Sequence, residues 1–151
     1  MHNNEILGRL ADALTLNEDS LAAIFALGGE AMTAADALAR TRDVDSEGAL
    51  ACTTDQLGRF LDGLILKKRG PRDTDGAPRA AVRLSNNAIL KKLRIALTLK
   101  EDDVLRILAA GGSPSTRLAL SPLFRKPGNK HFRTCSDAVL RSFLSGLAGC
   151  S

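Results

Sequence analysis

Ile6, Leu7, Leu10, Ala13 and Leu14 recur at i, i+1, i+4, i+7 and i+8, which is the stripe of one helix face. Asn3 or Asn4 stands where an N-cap is expected. A second helix is predicted from about Glu18, with Leu21, Ile24 and Phe25 turned inward. It closes at Gly28-Gly29, where a left-handed residue can end a helix. Thr33 with Asp36 resembles a capping box, with Asp in place of Glu or Gln, and opens a short third helix. A polar loop follows from about Thr41 to Ala51. Thr53 or Thr54 then caps a fourth helix with Leu57, Phe60, Leu61, Leu64 and Ile65 on one face. No stretch alternates apolar and polar residues as a half-buried strand would.

The pattern then starts again. Sliding the chain by 83 positions lays residues 3–64 on 86–147 without a gap, with 23 identities in 62 positions. Roughly five would arise by chance in a chain so rich in Ala and Leu. Asn3-Asn4 falls on Asn86-Asn87, Gly28-Gly29 on Gly111-Gly112, Cys52 on Cys135, and Phe60-Leu61 on Phe143-Leu144. Helices are therefore predicted at about 87–98, 101–110, 116–124 and 136–148. The third of these is the weakest, because Pro114 and Pro122 bracket or interrupt it. Gly70 to Pro78 is a linker by composition.

The fold class is all-α: two tandem four-helix repeats related by pseudo-twofold symmetry. A unit of some 65 residues is marginal alone, so the repeats are expected to share a core. The first repeat takes residues 1–66, a basic linker 67–85, and the second repeat 86–151. With no Trp, no Tyr and five Phe, that core must be built from Leu, Ile, Val and Ala. No apolar run reaches the ~20 residues of a membrane helix. The first residues lack the basic-then-apolar order of a signal peptide. Three scattered Cys make no disulfide framework. The expected compartment is the cytoplasm.

Charge separates the two copies. Residues 1–66 hold four Arg and no Lys against eleven acids, a net of −7. Residues 67–85 carry a net of +4 and residues 86–151 a net of +7. This dipole has two physical uses. The halves can attract each other across a shared interface, or the basic half can meet a polyanion. The densest cluster runs from Phe124 to Cys135. There Arg125, Lys126, Lys130, His131 and Arg133 lie between Phe124 and Phe132 or beside them. Pro127-Gly128 predicts a turn that folds Arg125 and Lys126 back toward Lys130 and Arg133. The cations suit phosphates, and the Phe rings either stack on bases or anchor the loop in the core. The matching loop of the first repeat, Thr41 to Cys52, has three acids and one Arg. Lys67-Lys68-Arg69 with Arg72 reads as cations placed at a helix C-terminus. Lys91 and Lys92 are expected to be exposed on the helix that opens the second repeat.

Catalytic signals are scarce. Cys135 lies four residues after His131, but its counterpart Cys52 has Gly48 at the matching position, so a small buried residue explains Cys135 better than a nucleophile does. No zinc spacing, Walker sequence or dinucleotide fingerprint occurs. No catalytic residue, metal or cofactor is expected.

Asn-Asn-x-Ile-Leu-x-x-Leu at the start, its copy from Asn86 to Leu97, the stretch Phe124 to Phe132, and Phe60-Leu61-Asp62-Gly63-Leu64-Ile65 together resemble the YehS family. These are small bacterial cytosolic proteins made of two copies of a domain of unknown function. The resemblance spans nearly the whole chain and implies a duplicated helical fold, with no established activity. The functional expectation is a non-enzymatic binding module. Its basic second repeat would contact nucleic acid or an acidic protein through Arg125, Lys126, Lys130, His131 and Arg133, supported by Lys91 and Lys92. The alternative is a protein-interaction adaptor or a self-associating regulator. An enzyme centred on His131 and Cys135 is a third reading.

Overall fold

The computed structural model describes residues 2–69, 84–126 and 128–150. Most of the predicted linker, with Arg72, lies outside them. In the first repeat α1 spans Asn3–Ala13, α2 Glu18–Leu27, α3 Ala34–Ala39 and α4 Thr54–Arg69. In the second, α5 spans Asn86–Ala96, α6 Glu101–Ala110, α7 Arg117–Leu120 and α8 Asp137–Cys150. A 3₁₀ turn, Ser121–Phe124, extends α7. Pro122 explains the shortening, because a proline cannot donate the next intrahelical hydrogen bond. No strand occurs among the described residues.

The local signals act as their chemistry dictates. Thr33 Oγ1 accepts from the Asp36 N–H at 3.1 Å and opens α3. Thr53 is the cap of α4. Its hydroxyl accepts from the Gln56 N–H, and the Gln56 side chain accepts from the Thr53 N–H, both at 3.0 Å. Gly29 and Gly112, each at φ +92, close α2 and α6 in the left-handed conformation. The helix α4 runs to Arg69 and takes Lys67, Lys68 and Arg69 into its last turn, where the helix dipole favours cations, as expected of them.

The repeats pack by exchanging roles. Helix α1 lies on α8 as α5 lies on α4, while α2 covers α4 and α6 covers α8. One contiguous core results. It takes Ile6, Leu7, Leu10, Leu57, Phe60 and Leu64 from the first repeat, and Ile89, Leu90, Leu93, Leu140, Phe143 and Leu147 from the second. Burying each such side chain contributes about 1.5–3 kcal/mol, and neither repeat alone encloses both sides of α4 or α8. The outer crossings are tight. A Cβ on Gly63 would sit 1.9 Å from the Ile24 carbonyl oxygen, and one on Gly146 would sit 1.8 Å from that of Ile107.

The structure corrects one expectation here. Neither Asn3 nor Asn4 is the N-cap of α1; that position belongs to His2, and in α5 to Ser85. Asn4 is 1% exposed and Asn87 7%. Both lie inside the first helical turn and face the loop before the fourth helix of their own repeat. The corresponding apolar stripe carries a polar group there because two part-buried carbonyls and one buried N–H pair with it.

Candidate nucleic-acid interface

Asn87 holds the basic loop from beneath. Its Nδ2 donates to the carbonyls of Leu123 at 2.9 Å and Arg133 at 2.8 Å, and its Oδ1 accepts from the Cys135 N–H at 2.8 Å. Asn86 Nδ2 adds a bond to the Cys135 carbonyl at 3.1 Å. The Pro122 carbonyl accepts from the N–H groups of both Arg125 and Arg133, so the two ends of the loop converge on one oxygen. Between them the Asn129 N–H donates to the Lys126 carbonyl at 3.0 Å, with Gly128 at φ +96. The Asn129 side chain accepts from the His131 N–H at 2.9 Å. Pro127, on which half of the predicted turn falls, lies outside the described residues.

Arg125, Lys126, Lys130, His131 and Arg133 are all exposed. Among the described residues, none of their side chains joins an ion pair. Lys91 is exposed on α5, one turn beyond Asn87 on the same face. It occupies the place of Gly8, where a Cβ would come within 2.7 Å of the Thr41 carbonyl oxygen, and Thr41 is the counterpart of Phe124. Lys91 therefore edges the start of the loop. One further turn along α5, the Arg94 guanidinium carbon lies 4.7 Å from the centre of the Phe124 ring, a cation–π stack. Arg94 Nε also donates to the Leu99 carbonyl at 3.1 Å, which fixes the guanidinium in that position. Phe124 is half-buried and packs on the core, whereas Phe132, also half-buried, stands outside the core cluster among the described residues.

Lys92 does not join this group. Its ammonium lies 2.5 Å from Asp62 Oδ1 on α4, and its side chain is 19% exposed. The expectation that Lys92 is free beside Lys91 fails, because neighbouring residues on a helix point about 100° apart and Lys92 falls on the side that meets the other repeat. A second cross-repeat pair joins Arg141 Nε to Glu5 Oε2 at 3.1 Å. Arg141 holds the Glu5 carboxyl below the usual carboxylate range, with Arg9 assisting. Both pairs set an acid of the first repeat against a base of the second. Part of the charge separation thus borders the shared interface, and the loop cations do not take part in it.

The first repeat supplies an internal comparison. Asn4 makes the same three kinds of hydrogen bond there, donating to the carbonyls of Arg42 and Leu50 and accepting from the Cys52 N–H. The Ala39 carbonyl gathers the N–H groups of Arg42 and Leu50 as Pro122 gathers those of Arg125 and Arg133. Yet Gly8, Ala11, Thr41, Asp43, Glu47, Gly48, Ala49 and Leu50 stand where the second repeat has Lys91, Arg94, Phe124, Lys126, Lys130, His131, Phe132 and Arg133. The same scaffold closes without that cationic and aromatic set, so holding the loop together does not account for it.

Two roles in the site escape a reading of the chain alone: that of Asn87, which appears as a cap, and that of Arg94, legible as a cation beside Lys91 and Lys92 but not as the partner of a ring 30 residues away. The signal for the first was present. Asn4 and Asn87 occupy the inner stripe, three residues before Leu7 and Leu90.

The thiols of Cys52 and Cys135 are buried, and burial pushes each up to about 11. The Cys135 thiol donates to the Ser136 carbonyl. A neutral, enclosed thiol lacks the electropositive, open setting of a reactive cysteine. Among the described residues no three His, Cys, Asp or Glu side chains gather in a way that could hold a metal, and no helix is long and apolar enough to cross a membrane.

A family described as "Protein of unknown function (DUF1456)" matches residues 3–70 and 86–149, one segment for each repeat. The uncharacterized protein YehS of Escherichia coli (strain K12) is 40% identical over 148 residues, covering 98% of this chain and 95% of that protein. No solved structure matches. Two family segments and a relative matched almost end to end agree with the doubled helical architecture, and the chain belongs to the DUF1456 family.

Proposed function

We propose that this protein is a binding module whose second repeat engages nucleic acid through the loop from Phe124 to Cys135. The supporting observation is that Arg125, Lys126, Lys130 and Arg133, flanked by His131 and Lys91, are exposed and unpaired among the described residues on a hydrogen-bonded scaffold. Four permanent cations on one short loop offer a phosphate backbone several contacts at once, more than a small acid would use. Their counterparts in the first repeat include two acids and a leucine, so one face of the molecule attracts a polyanion and its pseudo-symmetric twin repels it.

The test is an anisotropy titration of a labelled oligonucleotide at ~50 mM salt, repeated across salt. Four phosphate contacts give a log–log slope of about −3.6 on duplex DNA and about −2.8 on a single strand. Replacing Arg125, Lys126, Lys130 and Arg133 with Ala abolishes binding if the proposal holds. Binding absent at low salt, or unchanged by the fourfold replacement, refutes it.

The adaptor reading has one observation in its favour. Leu118 on α7 is 90% exposed where the first repeat has Ala35. A stoichiometric protein partner retained after nuclease treatment and lost on Leu118→Ser would favour that reading.

A further inference from the structure

We infer that the loop takes single-stranded rather than duplex nucleic acid, with one base stacked on Phe132. This rests on the nucleic-acid reading above and narrows it. Phe132 needs a reason to be where it is. The first repeat builds the equivalent turn with Ala49, and both Leu50 and Arg133 return to their carbonyl partners at 3.2 Å. The ring is therefore not required to close the loop. It is half-buried, stands in the chain between the exposed His131 and Arg133, and lies outside the core cluster among the described residues. Phe124 is a poorer platform, because Arg94 already covers one of its faces and the core takes part of the ring.

The elements that carry the charge point the same way. A protein that reads duplex DNA usually lays a helix or a two-stranded ribbon into a groove. Here the cations sit on an irregular loop, and the helix leading into it, α7, has four residues. The longer α5 cannot serve as a reading helix: Lys92 is committed to Asp62 and Arg94 to Phe124 and the Leu99 carbonyl, which leaves only Lys91 free of a described partner. Cations tracking a backbone, with an aromatic ring set among them, are the arrangement that holds single strands, whose unstacked bases can reach the ring.

The chain has no Trp, so Phe132→Trp introduces a single fluorescent reporter at the position in question. The experiment compares a 12-nucleotide single strand with the duplex of the same sequence, using wild type, Phe132→Ala and Phe132→Trp. The single strand is expected to bind at least about tenfold more tightly than the duplex. Phe132→Ala should weaken it a further ten- to hundredfold, roughly the loss of one stacked base. The salt slope should be unchanged, because no charge is removed. Phe132→Trp should keep the affinity and have its emission quenched by the single strand. Thermal unfolding controls for folding, and the Trp variant reads stacking even if the Ala variant is unstable. Equal or tighter duplex binding, or a Trp whose emission ignores the bound strand, overturns this inference and leaves the nucleic-acid reading standing. No binding to either form overturns both.

Discussion

Lys92 and Asp62 meet across the two repeats at 2.5 Å, and the pseudo-symmetric positions are filled by Arg9 and Ser145, where Arg9 Nη1 donates to Ser145 Oγ at 3.1 Å. The same pair of helix positions is polar at both junctions, but these two positions carry opposite charges only at Lys92 and Asp62; the other junction places its ion pair one turn away, between Arg141 and Glu5. A basic residue in the first copy faces a hydroxyl, and a basic residue in the second copy faces a carboxylate. The interface was thus altered at its rim while its apolar centre stayed in register.

Lys91 and Lys92 are therefore expected to separate in experiment. Lys91→Ala should leave stability within about 0.5 kcal/mol and lower the salt slope for oligonucleotide binding by close to one unit. Lys92→Ala should leave that affinity within twofold but cost about 1 kcal/mol of stability, as a partly shielded charged pair does. Paired urea melts and anisotropy titrations measure both. A Lys92 variant that binds nucleic acid poorly with an intact fold would contradict this division.

The buried asparagines should behave alike in stability. Asn4→Ala or Asn87→Ala leaves two carbonyls and one N–H without partners, at a cost of about 3 kcal/mol. Asn→Asp should be worse, because a carboxylate cannot donate to either carbonyl. Chemical denaturation of the four variants checks this. Near-wild-type stability of Asn87→Asp would mean that the loop closes by other bonds.

Three glycines in the fourth helices should respond in opposite directions. Gly63→Ala and Gly146→Ala push a methyl into the backbone of the helix crossing them, and each should cost about 3 kcal/mol or more. Gly58, on the same helix as Gly63, has nothing within 4 Å of a built Cβ. Gly58→Ala should stabilise the protein by about 0.5–1 kcal/mol, because it removes glycine from a helix interior. Thermal unfolding of the three variants settles the order.

Acid and base should each remove a specific contribution. Glu5 titrates below its ordinary 4.5 in the folded state, so its support is complete above that value and lost as pH falls through the lower folded one. Glu5→Gln should flatten stability in that acid range. The two buried thiols titrate near 11 instead of 9, so their contribution is complete below pH 9 and lost as pH rises toward 11. At pH 8, alkylation mapped by mass spectrometry should spare Cys52 and Cys135 in the folded protein and label both in urea. Rapid labelling of folded Cys135 would revive a nucleophilic role.

Periodicity, capping and the 83-residue repeat were enough to place the helices and the doubled architecture, because each depends on neighbours within a turn or on simple self-comparison. Pro122 even marks where α7 gives way to a 3₁₀ turn. The basic loop was legible as a charge run with a turn at its middle. What the chain could not show was which polar residues on the edge of an apolar stripe face solvent. Lys91 and Lys92 are adjacent and identical in type, and only the packing of α5 on α4 assigns Asp62 to one and the loop's edge to the other. In the same way, Asn87 becomes a buried clamp only when a loop some 36 to 48 residues away presents two carbonyls and an N–H above it. Local pattern is set by bonds along the chain, whereas the partner of a boundary residue is set by whatever distant segment the core draws over it.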